Sequence, residues 1–394
     1  MSAAWQRQPL GAVLDVASGQ VDPKKPPYSG MHHIGGENIE SGTGRLLDVS
    51  TAADLGLTSG KYLFGSTDVL YSKIRPRLNK VVAPNFEGIC SADIYPLRPR
   101  PGQIAREFLV HLLRSADFLT YTEKHSSRTN IPKLNREGLL GYEVALPPLN
   151  EQRRIAEVLD RAEALRAKRR AALGQLDTLT QSIFLDLFGE PSESRWDMAP
   201  ISEYVAQFEG GKSLEAEAAE VRTRNRVLKI SAVTGMKYRP DESKPVPDSY
   251  HPPIEHFVKP GDLLFSRANT SELVGAVAYV DETPANVLLP DKLWRFVWRK
   301  PTKVEPLFVW ALFQTPALRQ EIERRATGTS GSMKNISQEK LYGIRTLLPP
   351  LAVQQEFVRR SRAVEKLKSA QRRSLAELDA LFASLQHRAF RGEL

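Results

Sequence analysis

The sequence is poor in cysteine: Cys90 is the only one in 394 residues. A lone thiol excludes an internal disulfide and a cysteine-based zinc site. Its setting, Gly88-Ile89-Cys90-Ser91, marks it as a small core residue. Histidine is also sparse and scattered, and the adjacent pair His32-His33 lacks the one-turn spacing of metal ligands. No metal site is expected. No run approaches the roughly 18 consecutive apolar residues of a membrane-spanning helix. The opening residues lack a charged-then-apolar signal pattern, so a cytoplasmic protein is expected.

Catalytic motifs are missing too. Gly210-Gly211-Lys212-Ser213 resembles the end of a phosphate-binding loop, but Ala206 stands where its first glycine belongs. Lys25-Pro26-Pro27-Tyr28 has the outline of an amino-methyltransferase motif, yet lysine cannot accept hydrogen bonds from a target amine. Pro240-Asp241-Glu242-Ser243-Lys244 has a nuclease-like acidic-x-Lys string without the upstream carboxylate on a strand. No catalytic residue is assigned.

What is present is ordinary in composition and unusual in arrangement. Apolar residues make up 41% and charged residues 26%, as in a globular protein of two or three domains. The net charge of +9 favours a polyanionic partner. The chain also repeats itself. Leu146-Pro147-Pro148-Leu149 recurs as Leu348-Pro349-Pro350-Leu351, and Gln152 recurs as Gln354. Without a gap, Leu173, Leu176, Asp177, Leu179, Ser182 and Phe188 then meet Leu375, Leu378, Asp379, Leu381, Ser384 and Phe390. Upstream, Trp5 matches Trp196, and Asp68-Val69-Leu70-Tyr71-Ser72-Lys73 matches Asp262-Leu263-Leu264-Phe265-Ser266-Arg267, with drifting offsets. One part of the repeat is constant and the other diverges.

The constant part has helical periodicity. Ile155, Val158, Leu165, Leu176, Leu179 and Ile183 lie on one heptad seam, and Phe357, Val364, Leu367, Leu378, Leu381 and Leu385 lie on the other. Each helix is about 57 Å long at 1.5 Å per residue. Neither seam can be buried locally, so antiparallel pairing of the two copies is predicted. Prolines fix each start, Asn150 is a candidate cap for the first helix, and Gly189-Glu190-Pro191 ends it. The predicted boundaries are a globular domain at 1–145, a central helix at 146–190, a second globular domain at 191–345 and a C-terminal helix at 346–394. Leu293-Trp294-Arg295-Phe296-Val297-Trp298 reads as a strand, and Glu107–Leu113 and Leu307–Phe313 read as helical, so the fold class is α+β.

Each domain carries two basic, polar loops. In the first, Lys73, Arg75, Arg77 and Lys80 form one cluster, and Lys124, Ser127, Arg128 and Asn130 form the other. The counterparts are Arg267, Asn269 and Thr270, and Ser330, Lys334 and Asn335. Such side chains hold phosphates and read base edges, so these are the candidate DNA-binding residues.

Two divergent domains, each followed by Leu-Pro-Pro-Leu, a glutamine and a long helix, resemble the specificity subunit of Type I restriction–modification enzymes. Leu146-Pro147-Pro148-Leu149-Asn150-Glu151-Gln152 carries that family's signature in full, and the second copy departs from it at Val353. The resemblance implies two target-recognition domains, each reading one half of a split, asymmetric double-stranded DNA target. It implies an antiparallel two-helix coiled coil that sets the spacing between the halves, with pseudo-two-fold symmetry. It also implies docking of two methyltransferase subunits, joined by restriction and translocase subunits. The chain itself would then be non-catalytic and free of cofactors, with S-adenosylmethionine, ATP and Mg on the partners. The competing reading is an assembly scaffold of another DNA-modification or defence complex, without sequence readout of its own.

Overall fold

The computed structural model describes residues 5–126, 131–189, 196–214, 224–247, 249–328 and 333–394. It divides into two compact units, one of residues Met1–Ala171 with Arg372–Leu394 and one of residues Ala172–Gln371. Each unit therefore contains one globular domain and a stretch of both long helices.

In the first unit, Leu14–Val16, Ile94–Pro99, Val69–Ser72 and Val81–Val82 form an antiparallel sheet in that spatial order. Side chains alternate across it, as strand geometry requires. Val69, Tyr71, Tyr95 and Leu97 enter a core shared with helix α1 (Arg106–Leu113), α2 (Ala116–His125) and α3 (Arg136–Leu140). Leu70 and Ile94 point to the opposite face and pack with Ile34, Phe64 and Cys90. Those residues belong to a five-stranded sheet ordered Gln20–Val21, Lys61–Phe64, Gly88–Cys90, His32–Ile34 and Ser50–Thr51. Burial there pushes the Cys90 thiol up to about 12. Gln6–Pro9 pairs with Glu143–Leu146, which brings the domain's first strand beside the strand that leads into helix α4 (Leu149–Phe188).

The second unit repeats the plan. Val205–Gly210, Leu293–Trp298, Leu263–Ser266 and Val277–Tyr279 form the central sheet. Leu263, Phe265, Trp294 and Phe296 face the helical core, whereas Leu264 and Leu293 face the other layer. Helices α5 (Ser231–Thr234), α6 (Pro306–Leu312), α7 (Pro316–Arg325) and α8 (Gln338–Tyr342) precede the long α9 (Leu351–Ala389). Met198–Pro200 pairs with Arg345–Leu347 before that helix. The outer layer differs: among the described residues, three strands, ordered Ser243–Pro245, Arg226–Leu228 and Val287–Leu288, stand where the first unit has five.

Helix α4 begins at Leu149, so Asn150 lies inside the first turn and is not its cap. The Pro148 carbonyl accepts instead from the Glu151 and Gln152 amides at 2.9 and 3.0 Å. Pro350 does the same for Val353 and Gln354 at 3.0 and 3.3 Å, so both helices start alike despite the different sequence. Gly189, at φ +71°, ends α4 in a left-handed turn that suits glycine.

Gln152 and Gln354 are buried, at 1% and 0% exposure. The Gln152 Oε1 accepts from the Ala105 amide at 2.8 Å, while its Nε2 donates to the carbonyls of Gln103 and Pro147 at 3.0 and 2.9 Å. Gln354 makes the same three bonds: from Glu305 at 2.9 Å, and to Lys303 and Pro349 at 3.0 and 2.8 Å.

Within each unit the long helices run antiparallel. In the first, Arg154 donates to the Leu394 carbonyl and Arg166 Nε lies 2.6 Å from Asp379. In the second, Asp177 meets Lys368 at 3.3 Å and Asp186 meets Arg360 at 3.5 Å. Phe184 and Phe188 of α4 pack with Phe357 of α9 and Phe308 of α6. Arg166 is flanked by Glu163 and Asp379, and Lys368 by Glu365 and Asp177. These two triads are the same three positions of the repeat with the helices exchanged.

The seam differs from the heptad reading. Ile155, Phe357 and Val364 are buried, and Val158, Leu176, Ile183, Leu378 and Leu385 are half-buried. Leu165, Leu179, Leu367 and Leu381, expected inside the seam, are 53%, 38%, 52% and 51% exposed. The reason is that the globular domains cover mainly the helix ends, where Ala156, Leu159, Phe184 and Val358 are buried one position away from the predicted line. Between the ends, charged groups rather than leucines meet across the pair, and the leucines turn outward.

The partly exposed triads should couple modestly. A double-mutant cycle between Arg166→Met and Asp379→Ala, read by denaturation of the full chain, is expected to give about 1 kcal/mol of interaction. A value indistinguishable from zero would show that the pair does not hold this register.

Candidate nucleic-acid interface

The two loops singled out in each domain lie side by side. In the first unit the Arg75 amide donates to the Pro132 carbonyl at 2.7 Å, and the Leu134 amide donates to the Lys73 carbonyl at 3.0 Å. Ile74 and Lys133 form a β-bridge. In the second unit the Ile336 amide donates to Arg267 at 3.0 Å, and Ala268–Asn269 pairs with Lys334–Asn335. Segments some sixty residues apart in sequence are thus stitched into one surface by backbone hydrogen bonds, whose geometry does not depend on the variable side chains.

The turn after Val69–Ser72 is tight. Arg75 and Asn79 both adopt left-handed backbone, at φ +47° and +50°, around the buried Pro76. Non-glycine residues pay a steric cost there. The turn leaves Arg75 and Arg77 exposed, with exposed Lys133 on the adjoining segment and exposed Lys124 in the last turn of α2. Lys133 was missed in the sequence reading, although it lies just beyond the loop that was chosen. Ser127, Arg128, Asn130 and Ser330 lie outside the described residues. In the second unit Thr270 is exposed, while Asn269, Lys334 and Asn335 are half-buried within the two-strand pairing.

Two candidates have a different job. Lys73 is buried, donates to the Ala92 carbonyl at 2.5 Å and lies 5.1 Å from the Tyr95 ring centre. Burial holds its pKa below the usual lysine range. Arg267 occupies the equivalent place, donating from Nε to the Asp291 carbonyl at 2.8 Å beside the Trp294 ring at 5.7 Å. Each cation sits beside an aromatic ring and holds the turn that leads from the outer sheet into the neighbouring strand of the central sheet. Their backbones repeat the match, with amides donating to Asp93 and Lys292 at 3.0 and 3.1 Å. Lys80 is also committed, since its Nζ donates to the Gly36 carbonyl at 2.5 Å. Sequence composition shows a lysine in a polar loop but not whether its ammonium is already held.

A second repeated device supports the same strands. Asp68 is buried, accepts from the Gly65 amide at 3.0 Å and meets Arg98 at 3.4 Å. Asp262 accepts from Lys259 at 2.8 Å and meets Arg295 at 3.2 Å. Each aspartate closes the turn ahead of the central strand and ties it to its neighbour. The Gly210-Gly211 pair also has a structural explanation. A side chain at Gly211 would stand 1.9 Å from the Leu289 carbonyl oxygen, so two backbones approach closely there.

Comparison with known proteins agrees with this architecture. Residues 4–175 match the family model described as Type I restriction modification DNA specificity domain. The Type I restriction enzyme EcoDI specificity subunit of Escherichia coli is 33% identical over 196 residues, covering 49% of this chain and 43% of that protein. The match thus spans less than half of the EcoDI subunit. The EcoKI specificity subunit of Escherichia coli (strain K12) is 26% identical over 329 residues, covering 78% of this chain and 70% of that protein. The Type-I restriction-modification system S subunit from M. genitalium has a similar fold, with a TM-score of 0.58 and 13% identity over 99% of this chain and 96% of that one. A chain from a type I R-M system solved for its complex assembly and conformational transition aligns at a TM-score of 0.64 and 22% identity, over 99% and 98%.

Tandem α+β units sharing a pair of long helices make this a specificity-subunit fold. The chain is similar to Type I restriction–modification specificity subunits, and its residues 4–175 match their DNA specificity domain.

The burial pattern separates two kinds of cation. Arg75→Ala and Arg77→Ala are expected to lower DNA affinity and reduce the salt slope by about one unit per lost phosphate contact. Lys73→Met is expected to lower thermal stability while leaving the salt slope unchanged. Binding isotherms across a salt series, with melting curves, check both outcomes, and a lower slope for Lys73→Met would mean that its ammonium reaches DNA.

Proposed function

We propose that this chain is the sequence-specific DNA-recognition subunit of a Type I restriction–modification complex, and that each globular domain reads one half of a bipartite, asymmetric target. The observation that carries the proposal is the repeated loop pairing. The same backbone bonds join two loops in each unit, yet the places of exposed Arg75 and Lys133 in one are taken by half-buried Asn269 and Asn335 in the other. A common frame presenting different side chains suits two different half-sites. Cations supply affinity through phosphates, and the polar set supplies discrimination at base edges.

In this reading the long helices set the distance between the half-sites and dock two methyltransferase subunits. Leu165 and Leu381 are exposed in one unit, and Leu179 and Leu367, their repeat equivalents, in the other. Two matching apolar positions on each pair of helix segments suit two copies of one partner. Methylation and cleavage belong to the methyltransferase and restriction subunits, which also carry S-adenosylmethionine, ATP and Mg, and the complex works in the cytoplasm. The chain contributes recognition alone.

Selection of duplexes from a random pool by the full chain tests the proposal. Enrichment of a two-part motif with unlike halves separated by a fixed unread gap is expected. Retention without sequence enrichment at moderate salt would replace the recognition function with that of an assembly scaffold.

A further inference from the structure

The burial of each helix start against its domain comes from apolar packing, and apolar packing is not directional. Ile155, Ala156 and Leu159 join the first domain's core, and Phe357 and Val358 join the second. Such contacts stabilise the junction but tolerate small rotations. Hydrogen bonds weaken steeply away from their preferred geometry, so they fix an angle.

At each junction one side chain supplies that directionality. Both amide hydrogens of Gln152 and its carbonyl oxygen are used, and every partner is main chain. Two partners, Gln103 and Ala105, belong to the connector that enters α1, and the third is Pro147, at the start of α4. Gln354 links Lys303 and Glu305, at the entry to α6, with Pro349. Other polar links between domain and helix differ between the units. His111 meets Asp160 at 2.8 Å in the first, where the aligned residues of the second are Ala311 and Arg362, and Gln355 donates to Glu305 at 3.4 Å in the second, where the aligned residues of the first are Arg153 and Ala105. The glutamine clamp recurs in both repeats, and its partners are insensitive to sequence drift in the domains.

We infer that Gln152 and Gln354 are positioning residues that fix the angle of each recognition domain on its helix, and thereby set how strictly the protein discriminates the spacing between half-sites. The inference rests on the DNA-recognition reading above. One base pair of added spacer both lengthens and rotates the target, so only a rigid domain–helix junction rejects it.

The test uses the full chain and duplexes carrying its selected half-sites with the native gap, one base pair more or one fewer, together with each half-site alone. The unaltered protein is expected to prefer the native gap by about tenfold or more. Gln152→Met with Gln354→Met keeps side-chain length while removing the amide. That variant should lose most of the preference, with single half-site affinity within about twofold of the original. A merely destabilised protein would lose affinity for every duplex in proportion to its folded fraction, measured by circular dichroism. Folded variants that keep the full spacing preference overturn the inference, as does a loss confined to overall affinity. An unaltered protein that binds no bipartite duplex selectively overturns instead the recognition function on which the inference rests.

Discussion

The antiparallel register of the two long helices depends on a pair of cations, Arg166 and Lys368, each held between a carboxylate on its own helix and one on the other. Apolar contacts alone leave such a pair free to slide by a heptad. A charge that must meet its partner at one level cannot slide without leaving a cation unpaired, at about 1 kcal/mol for each triad. Arg166 also lies 4.4 Å from the Phe382 ring, which adds a contact of its own. The two triads are the same sequence positions with the helices exchanged, so each unit sets its own register by the same device.

From that register the rest follows within each unit. The helix ends are fixed against the domain cores, the Pro-Pro turns fix where the helices begin, and the buried glutamines connect those turns to the domain. Each domain then builds a four-stranded sheet with a constant helical face and a variable outer face. Variation is absorbed in the outer layer, where the described residues form five strands in one unit and three in the other. The loop pair that carries Arg75 or Asn269 is held at the end of a central strand by backbone bonds and by Lys73 or Arg267 beside it. A scaffold of this kind lets exposed side chains change without moving the surface that presents them.

Much of this was legible in the sequence because the duplication is itself a measurement. Two copies of Leu-Pro-Pro-Leu at one offset located both long helices, and the Ser72-Lys73 and Ser266-Arg267 match located the central strands. The pairing of loops was legible only as a shared composition. What stayed hidden was burial. Lys73 and Lys80 read as free cations because a polar loop gives no sign that a carbonyl waits for the ammonium. Leu165, Leu179, Leu367 and Leu381 read as seam because heptad spacing is blind to which face the globular domains cover. The meaning of Gln152 and Gln354 was hidden too, since two of the three partners of each are main-chain groups distant in sequence.

The central claim is that two independent readers sit in equivalent frames on one constant helix pair. The most direct measurement replaces residues 5–145 with a second copy of residues 196–345, keeping both long helices, and selects bound duplexes from a random pool. The account predicts a symmetric motif, with the half-site of the second domain repeated in inverted orientation. Recovery of the original asymmetric motif, or of a motif unrelated to either half, would contradict it.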